Sequence, residues 1–297
     1  MLLVLGTALV SGVSIFINKF AVAESNPFVF TFLKNLIVAA FLLSLIFLLK
    51  EFNNLKTLTK KQWLQLAAIG LVGGSIPFLL YFYALKLTPA INAGFIHKTL
   101  FIWVSVMAFF FLKEKLSKGF LFGAALLLFG NYLLFSQISS FGFPDLLILV
   151  ATLLWASEYV LSKYVLKDLN GTQVAFGRMF FGSFFMLLFL LGTNQLQLIA
   201  EISIAQVQWI MLTAALLFLY VLTFYSGLKY IDVSKAAAIL LLGQPITALL
   251  SFIFLGQAIS LQQAIGLLLI VLGTVLVIGV SYALNLIRWK GLNLARD

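Results

Sequence analysis

Two stretches decide the fold: FLKEKLSKGFLFGAALLLFGNYLL at 111–134 and FLGQAISLQQAIGLLLIVLGTVLV at 254–277. Each passes through a short polar turn to a serine, Ser117 or Ser260, and continues as an apolar run carrying two glycines seven positions apart. Seven residues make two helical turns, so Gly123 and Gly130, like Gly266 and Gly273, share one helix face. Helices in lipid lack a hydrophobic drive to associate, and small residues let their backbones approach until van der Waals contact holds them. These four glycines are read as helix-packing positions.

The spacing between the stretches is 143 residues, and the match extends outward from them. At the same offset Lys86 meets Lys229, Ala93 meets Ala236 and Phe109 meets Phe252. One residue more aligns the earlier parts: Lys19 with Lys163, Glu24 with Asp168, Asn26 with Asn170, Phe32 with Phe176, Lys34 with Arg178. Two unrelated apolar segments would not align their charges, so the chain is a duplication.

Composition names the solvent. Of 297 residues 63% are hydrophobic and 9% charged, with mean hydropathy +1.14, whereas roughly a quarter of a soluble domain is charged. The absence of cysteine and the single histidine exclude disulfides, thiolate metal sites and multi-histidine metal sites. The net charge of +10 does not mark a nucleic-acid face, because Lys and Arg fall in short runs between apolar stretches.

A span needs about 20 mainly apolar residues. That template gives 2–21, 28–49, 64–85, 91–112, 119–136, 145–164, 174–192, 207–227, 234–255 and 262–283. The first segment ends in Ala21-Val22-Ala23, which mimics a signal-peptide cleavage site, but it has no basic start and is read as a span. Pro27, Pro89 and Pro144 fall at helix starts, whereas Pro77 and Pro245 fall inside spans and should kink or break them. Fifteen Lys and Arg fall on one side, Arg178 counted among them, against Lys19, Lys34 and Lys86 on the other. The basic side is taken as cytoplasmic, with both termini there and the chain in the cell (inner) membrane.

The expected architecture is an all-α membrane protein of ten transmembrane helices in two five-helix repeats, 1–137 and 144–284, with a basic cytoplasmic tail at 285–297. Five is odd, so the second repeat enters the membrane upside down. Inverted repeats with a midplane site between them recur among transporters.

With these residues in hand, the chain resembles the drug/metabolite transporter superfamily, specifically its ten-helix EamA branch. The resemblance rests on the two quoted stretches, on Glu114 as the acidic residue of the turn and on Pro245 in the fourth helix of a half. Gln257 and Ile102 stand where the other halves would repeat them. The resemblance implies a secondary transporter, an exporter of small metabolites such as amino acids, with the last helices of the halves packed together.

Ionisable residues inside spans are costly and default to functional hypotheses. His97 and Lys98 in the fourth span and Glu158 in the sixth stand out. Lys98 shares a helical face with Gly94 and Ser105, small and polar enough to border a cavity. Glu158, bracketed by Trp155 and Tyr159, breaks the internal symmetry because its repeat mate is Ser14. Trp155, Tyr159, Ser14, Asn18, Tyr81 and Gln244 complete the expected substrate-binding set, and Trp63 and Trp209 are read as interfacial anchors. In this scheme Lys98 attracts an acidic group, and Glu158 an amine or a proton. No phosphate-binding loop of the Walker type is present, so no nucleotide, metal or other cofactor is expected. The expected partners are a small-molecule substrate and the lipid bilayer, with no nucleic acid, and the chain is read as a monomer. The alternative is an intramembrane enzyme acting on a lipid-linked substrate, with His97 and Glu158 as acid and base. The short loops leave little to hold a headgroup.

Overall fold

The computed structural model describes residues 1–21, 26–135 and 141–279. Glu24, the end of the second repeat and the tail at 285–297 lie outside the described residues. Among the described residues ten apolar helical segments run through the molecule, eight long and apolar enough to cross a membrane and two, the first and the fifth, shorter: α1 Leu2–Ala21, α2 Pro27–Leu48, α3 Lys60–Leu85, α4 from Ala90 to Leu112, α5 Lys118–Leu134, α6 Phe143–Val165, α7 Gly171–Gly192, α8 Ile204–Leu228, α9 Val233–Leu255 and α10 Leu261–Ile278. Each half contributes five.

The duplication is visible in local backbone chemistry. Asn26 caps α2 by accepting from the Phe28 and Val29 amides, and its repeat mate Asn170 caps α7 by accepting from the Gln173 amide. Thr59 with Gln62 forms a capping box on α3, and Ser203 with Gln206 forms the same box on α8, 144 residues later. Ser117 and Ser260 start α5 and α10 alike. Such side chains satisfy amide donors that a helix start leaves open. Positive φ recurs in register too: Lys50 (59°) with Asn194 (54°), and Lys113 (59°) with Gly256 (62°). Non-glycine residues rarely adopt that region, so the shared turns reflect a shared fold.

Three spans are broken. In α3 the helix Lys60–Gly74 ends at Ser75 (φ −136°, ψ −76°) and resumes as Ile76–Leu85. Pro77 has no N–H to offer the Gly73 carbonyl four residues back, and the Phe78 amide turns to the Ser75 carbonyl instead. In α9 a 3₁₀ turn, Leu240–Leu242, separates Val233–Ile239 from Gly243–Leu255, with Pro245 in the first turn beyond it. Both prolines thus sit at breaks, as their positions inside spans required. The third break, at Thr99 between Ala90–Lys98 and Leu100–Met107, has no proline. It falls 143 residues before the α9 turn, and Ile102 stands where Pro245 would repeat. Because of it, the face shared by Lys98 and Ser105 does not persist: Ser105 donates to the Phe101 carbonyl inside the packed interior.

α5 packs against α10 along the four glycines. A methyl group at Gly130 would meet the Gly266 carbonyl at 2.7 Å, and one at Gly266 the Gly130 carbonyl at 2.8 Å. Gly123 and Gly273 face each other in the same way, at 2.7 and 2.8 Å. Elsewhere α1 packs on α8 and α9, and α7 on α2 and α3.

Candidate central cavity

A cavity of about 550 Å³ lies between the halves, within the roughly 300–1,000 Å³ of small-ligand sites. Both repeats build it, largely from matched positions. Ser11 and Trp155, Ile15 and Tyr159, Lys34 and Arg178, Gly94 and Ala237, His97 and Leu240, and Lys98 and Leu241 all line it, and each pair is separated by 143 or 144 residues. The inverted repeat brings equivalent residues to a shared centre. On one flank the lining reaches Phe135, just past the end of α5; toward the basic side it stops at Arg178, Tyr220 and Ala237. The cavity therefore lies toward the less basic side.

The α3 break supplies its most polar wall. The Gly73 carbonyl, released by Pro77, accepts from Arg178 Nη2 at 3.0 Å and Trp155 Nε1 at 3.1 Å. The Gly74 carbonyl accepts from Asn35 Nδ2 at 3.1 Å. Carbonyls without a helical partner must be satisfied in a membrane interior, and here they orient three cavity-lining side chains. Trp155 in turn meets Phe78 at 5.2 Å, Tyr81 at 5.6 Å and His97 at 4.8 Å between ring centroids, forming one aromatic wall. Tyr159 and Tyr220 share a 3.0 Å hydrogen bond between their hydroxyls.

Of the residues expected in the site, Lys98, His97, Trp155, Tyr159, Asn18, Ser14 and Tyr81 line this cavity. Glu158 and Gln244 do not. Glu158 is fully buried behind the wall, accepting from Ser162 Oγ at 2.6 Å and Tyr225 Oη at 2.7 Å, with its other oxygen 3.8 Å from Arg178 Nε. Trp155 and Tyr159 are four residues apart and share a face, but Glu158 is rotated about 100° from Tyr159 and points away from the cavity. Gln244 donates to Asn131 Oδ1 at 3.3 Å, tying α9 to α5. His97 and Glu158 are therefore not gathered around one open space.

Lys34 and Arg178 are corrected in the other direction. Sequence reasoning counted them as charges of opposite loops, yet both line the cavity. Each lies seven residues inside a helix that starts at Pro27 or Gly171, about 10 Å from its end. The asparagine caps at 26 and 170 are the signal that could have placed them. Without these two the Lys and Arg imbalance is fourteen against two, so the basic side keeps its excess. Asn35, Phe78 and Tyr220 were also missed.

Among the described residues Lys34 and Lys98 have no carboxylate within ion-pair distance. Lys34 Nζ sits 5.0 Å over the Phe30 ring. His97 Nδ1 and Asn18 Oδ1 are buried with no hydrogen-bond partner. No group of three or more metal-ligating side chains occurs among the described residues.

On the basic side the halves are bound by Glu114, which accepts from the Val233 amide (2.7 Å), the Ser234 amide (3.2 Å) and Ser234 Oγ (2.6 Å). Asn170 also donates to Glu51 there at 3.1 Å. The repeat of that second contact, Asn26 to Gln195 at 3.4 Å, exists on the far side. The repeat of the Glu114 contact does not: Gln257 is exposed and makes no side-chain hydrogen bond among the described residues.

Known proteins are similar over this same architecture. The chain is 28% identical over 286 residues to an uncharacterized transporter of Archaeoglobus fulgidus, covering 93% of this chain and 96% of that one. It is 24% identical to the uncharacterized transporter YyaM of Bacillus subtilis, covering 94% and 93%. A match to protein LicB of Haemophilus influenzae, 27% identical, covers 59% of this chain and 61% of that protein. A crystal structure 21% identical superposes with a TM-score of 0.73 over 92% of this chain and 94% of the other, a likeness of fold. Residues 1–136 and 142–279 each match the EamA-like transporter family, and this multi-pass membrane protein belongs to it.

Proposed function

We propose that the chain is a secondary transporter that carries small metabolites by alternating access around the central cavity, with export as its direction. The observation that carries this reading is the cavity itself: two inverted halves contribute matched residues to one space, largely apolar with basic and polar groups in its wall. Rocking of the halves would close the mouth by the less basic side and open the Glu114 side. Broken spans α3, α4 and α9 all contribute to the wall, so short helical pieces are available to move without unwinding a whole span. With the basic side cytoplasmic and the chain in the inner membrane, the described state faces outward.

Counterflow in proteoliposomes tests the reading, using radiolabelled amino acids, organic acids and amines in turn. Preloading with one unlabelled metabolite should drive transient accumulation of its labelled form. Failure of every metabolite to show counterflow with folded protein in sealed vesicles would reject transport.

A further inference from the structure

We propose that the cavity takes a small organic anion with two or more negative charges, a dicarboxylate or a phosphorylated acid; this rests on the cavity being a transport site. The inference comes from charge accounting around the described space. Among the described residues three basic side chains line it, Lys34, Lys98 and Arg178, and no carboxylate does. The one acid close behind the wall, Glu158, faces Arg178 at 3.8 Å and is held by Ser162 and Tyr225. Glu158 therefore offsets Arg178 and leaves Lys34 and Lys98 uncompensated in a membrane interior.

Charges buried in a membrane pair with one another or line a space where a partner can enter. Two uncompensated ammonium groups favour a ligand that arrives with two negative charges. A zwitterion or an amine would bring its own cation to a lining without a carboxylate, which is an unpaired charge in a poorly solvated site. The placement is also directional. Lys34 lies about 10 Å from one helix end and its repeat mate Arg178 about 10 Å from the opposite end, with Lys98 directly before the break at Thr99. His97 Nδ1, buried and unpartnered beside Lys98, adds a donor when it carries the ring proton. The wall of Trp155, Phe78 and Tyr81 accommodates the hydrocarbon body between the charged ends.

The test is equilibrium binding to purified full-length protein in lipid nanodiscs. Labelled succinate and 3-phosphoglycerate are the probes, with unlabelled citrate, leucine and choline as competitors. At least one of the two probes should bind saturably, citrate should compete, and leucine and choline should not. Lys34→Met and Lys98→Met should each weaken probe binding about ten- to a hundredfold, as loss of a charged hydrogen-bond donor does. Unchanged melting of each variant, with Lys34→Arg and Lys98→Arg retaining most of the affinity, separates this from misfolding. Absence of saturable binding by either anion overturns the proposal, as does equal competition by leucine or choline, or wild-type affinity in both folded methionine variants. Anion binding without counterflow would sink the transport reading alone; counterflow of leucine or choline without anion binding would sink this one alone.

Discussion

Replacing Gly130 by alanine adds one methyl group to a glycine-on-glycine contact between α5 and α10. That methyl would stand 2.7 Å from the Gly266 carbonyl, where ordinary contact begins at 3.4 Å. Backbone cannot rotate aside as a side chain can, so α5 and α10 must part by about 0.7 Å locally. Overpacking of this kind costs about 1–3 kcal/mol, and parting also weakens the equivalent Gly123–Gly273 approach. For a chain of this size that corresponds to a melting drop of roughly 2–12 °C. The reciprocal substitution Gly266→Ala should cost about the same, since its methyl would meet the Gly130 carbonyl at 2.8 Å. The two are coupled: once the helices have parted for one methyl, part of the space for the second exists. The double variant should therefore lose less than the sum of the singles, by about 0.5 kcal/mol or more. Gly192→Ala, with nothing within 4 Å of the added group, is the control and should melt like wild type. Thermal unfolding of the four variants in one detergent settles the matter. A Gly130→Ala protein that melts with the Gly192→Ala control would refute the close-packing argument, and strict additivity would refute the shared contact.

Three further outcomes follow from the geometry. Arg178→Met leaves Glu158 without its cation and the Gly73 carbonyl with one donor fewer; it should destabilise by about 3–5 kcal/mol, and adding Glu158→Gln should recover part of that in thermal melts, whereas no recovery would disconnect the pair. Glu114→Ala strips the start of α9 of its cap and should cost about 1.5–3 kcal/mol, while raising modification of an Ala237→Cys reporter by a membrane-impermeant thiol reagent offered from the basic side; unchanged modification would show that this contact does not hold that side shut. Cysteines placed at the exposed Lys56 and Thr193 should be modified from opposite faces of sealed vesicles, and modification of both from one face would break the inverted topology.

What the sequence made legible was whatever repeats or obeys a covalent rule. The halves, the glycine faces, the helix starts at Asn26 and Asn170 and the breaks near Pro77 and Pro245 all follow from side-chain or backbone chemistry within a few residues. The break at Thr99 did not, because Ile102 carries no local reason for it; only its alignment with the α9 turn reveals it. Which side chains line the cavity was legible where helical period decides it, as for Trp155 and Tyr159. It failed at Glu158, whose direction is fixed by Ser162 on its own helix and by Tyr225 and Arg178 on distant ones. It failed at Lys34 and Arg178 for another reason: both fall inside the expected spans 28–49 and 174–192, yet they were counted with the charges of the side nearer to them.

The unequal ends of the molecule have a thermodynamic consequence. A perfectly duplicated chain, flipped about its internal axis, maps one access state onto the other, so the two would be equally populated and an empty carrier would spend half its time facing each way. Glu114 and Gln257 break that equality. One charge-assisted hydrogen bond of about 1.5–3 kcal/mol, present in one state without its counterpart in the other, tilts an even equilibrium roughly ten- to 150-fold. Divergence of a single duplicated position is thus enough to give a carrier a resting posture, and with it a preferred face from which cargo is first met.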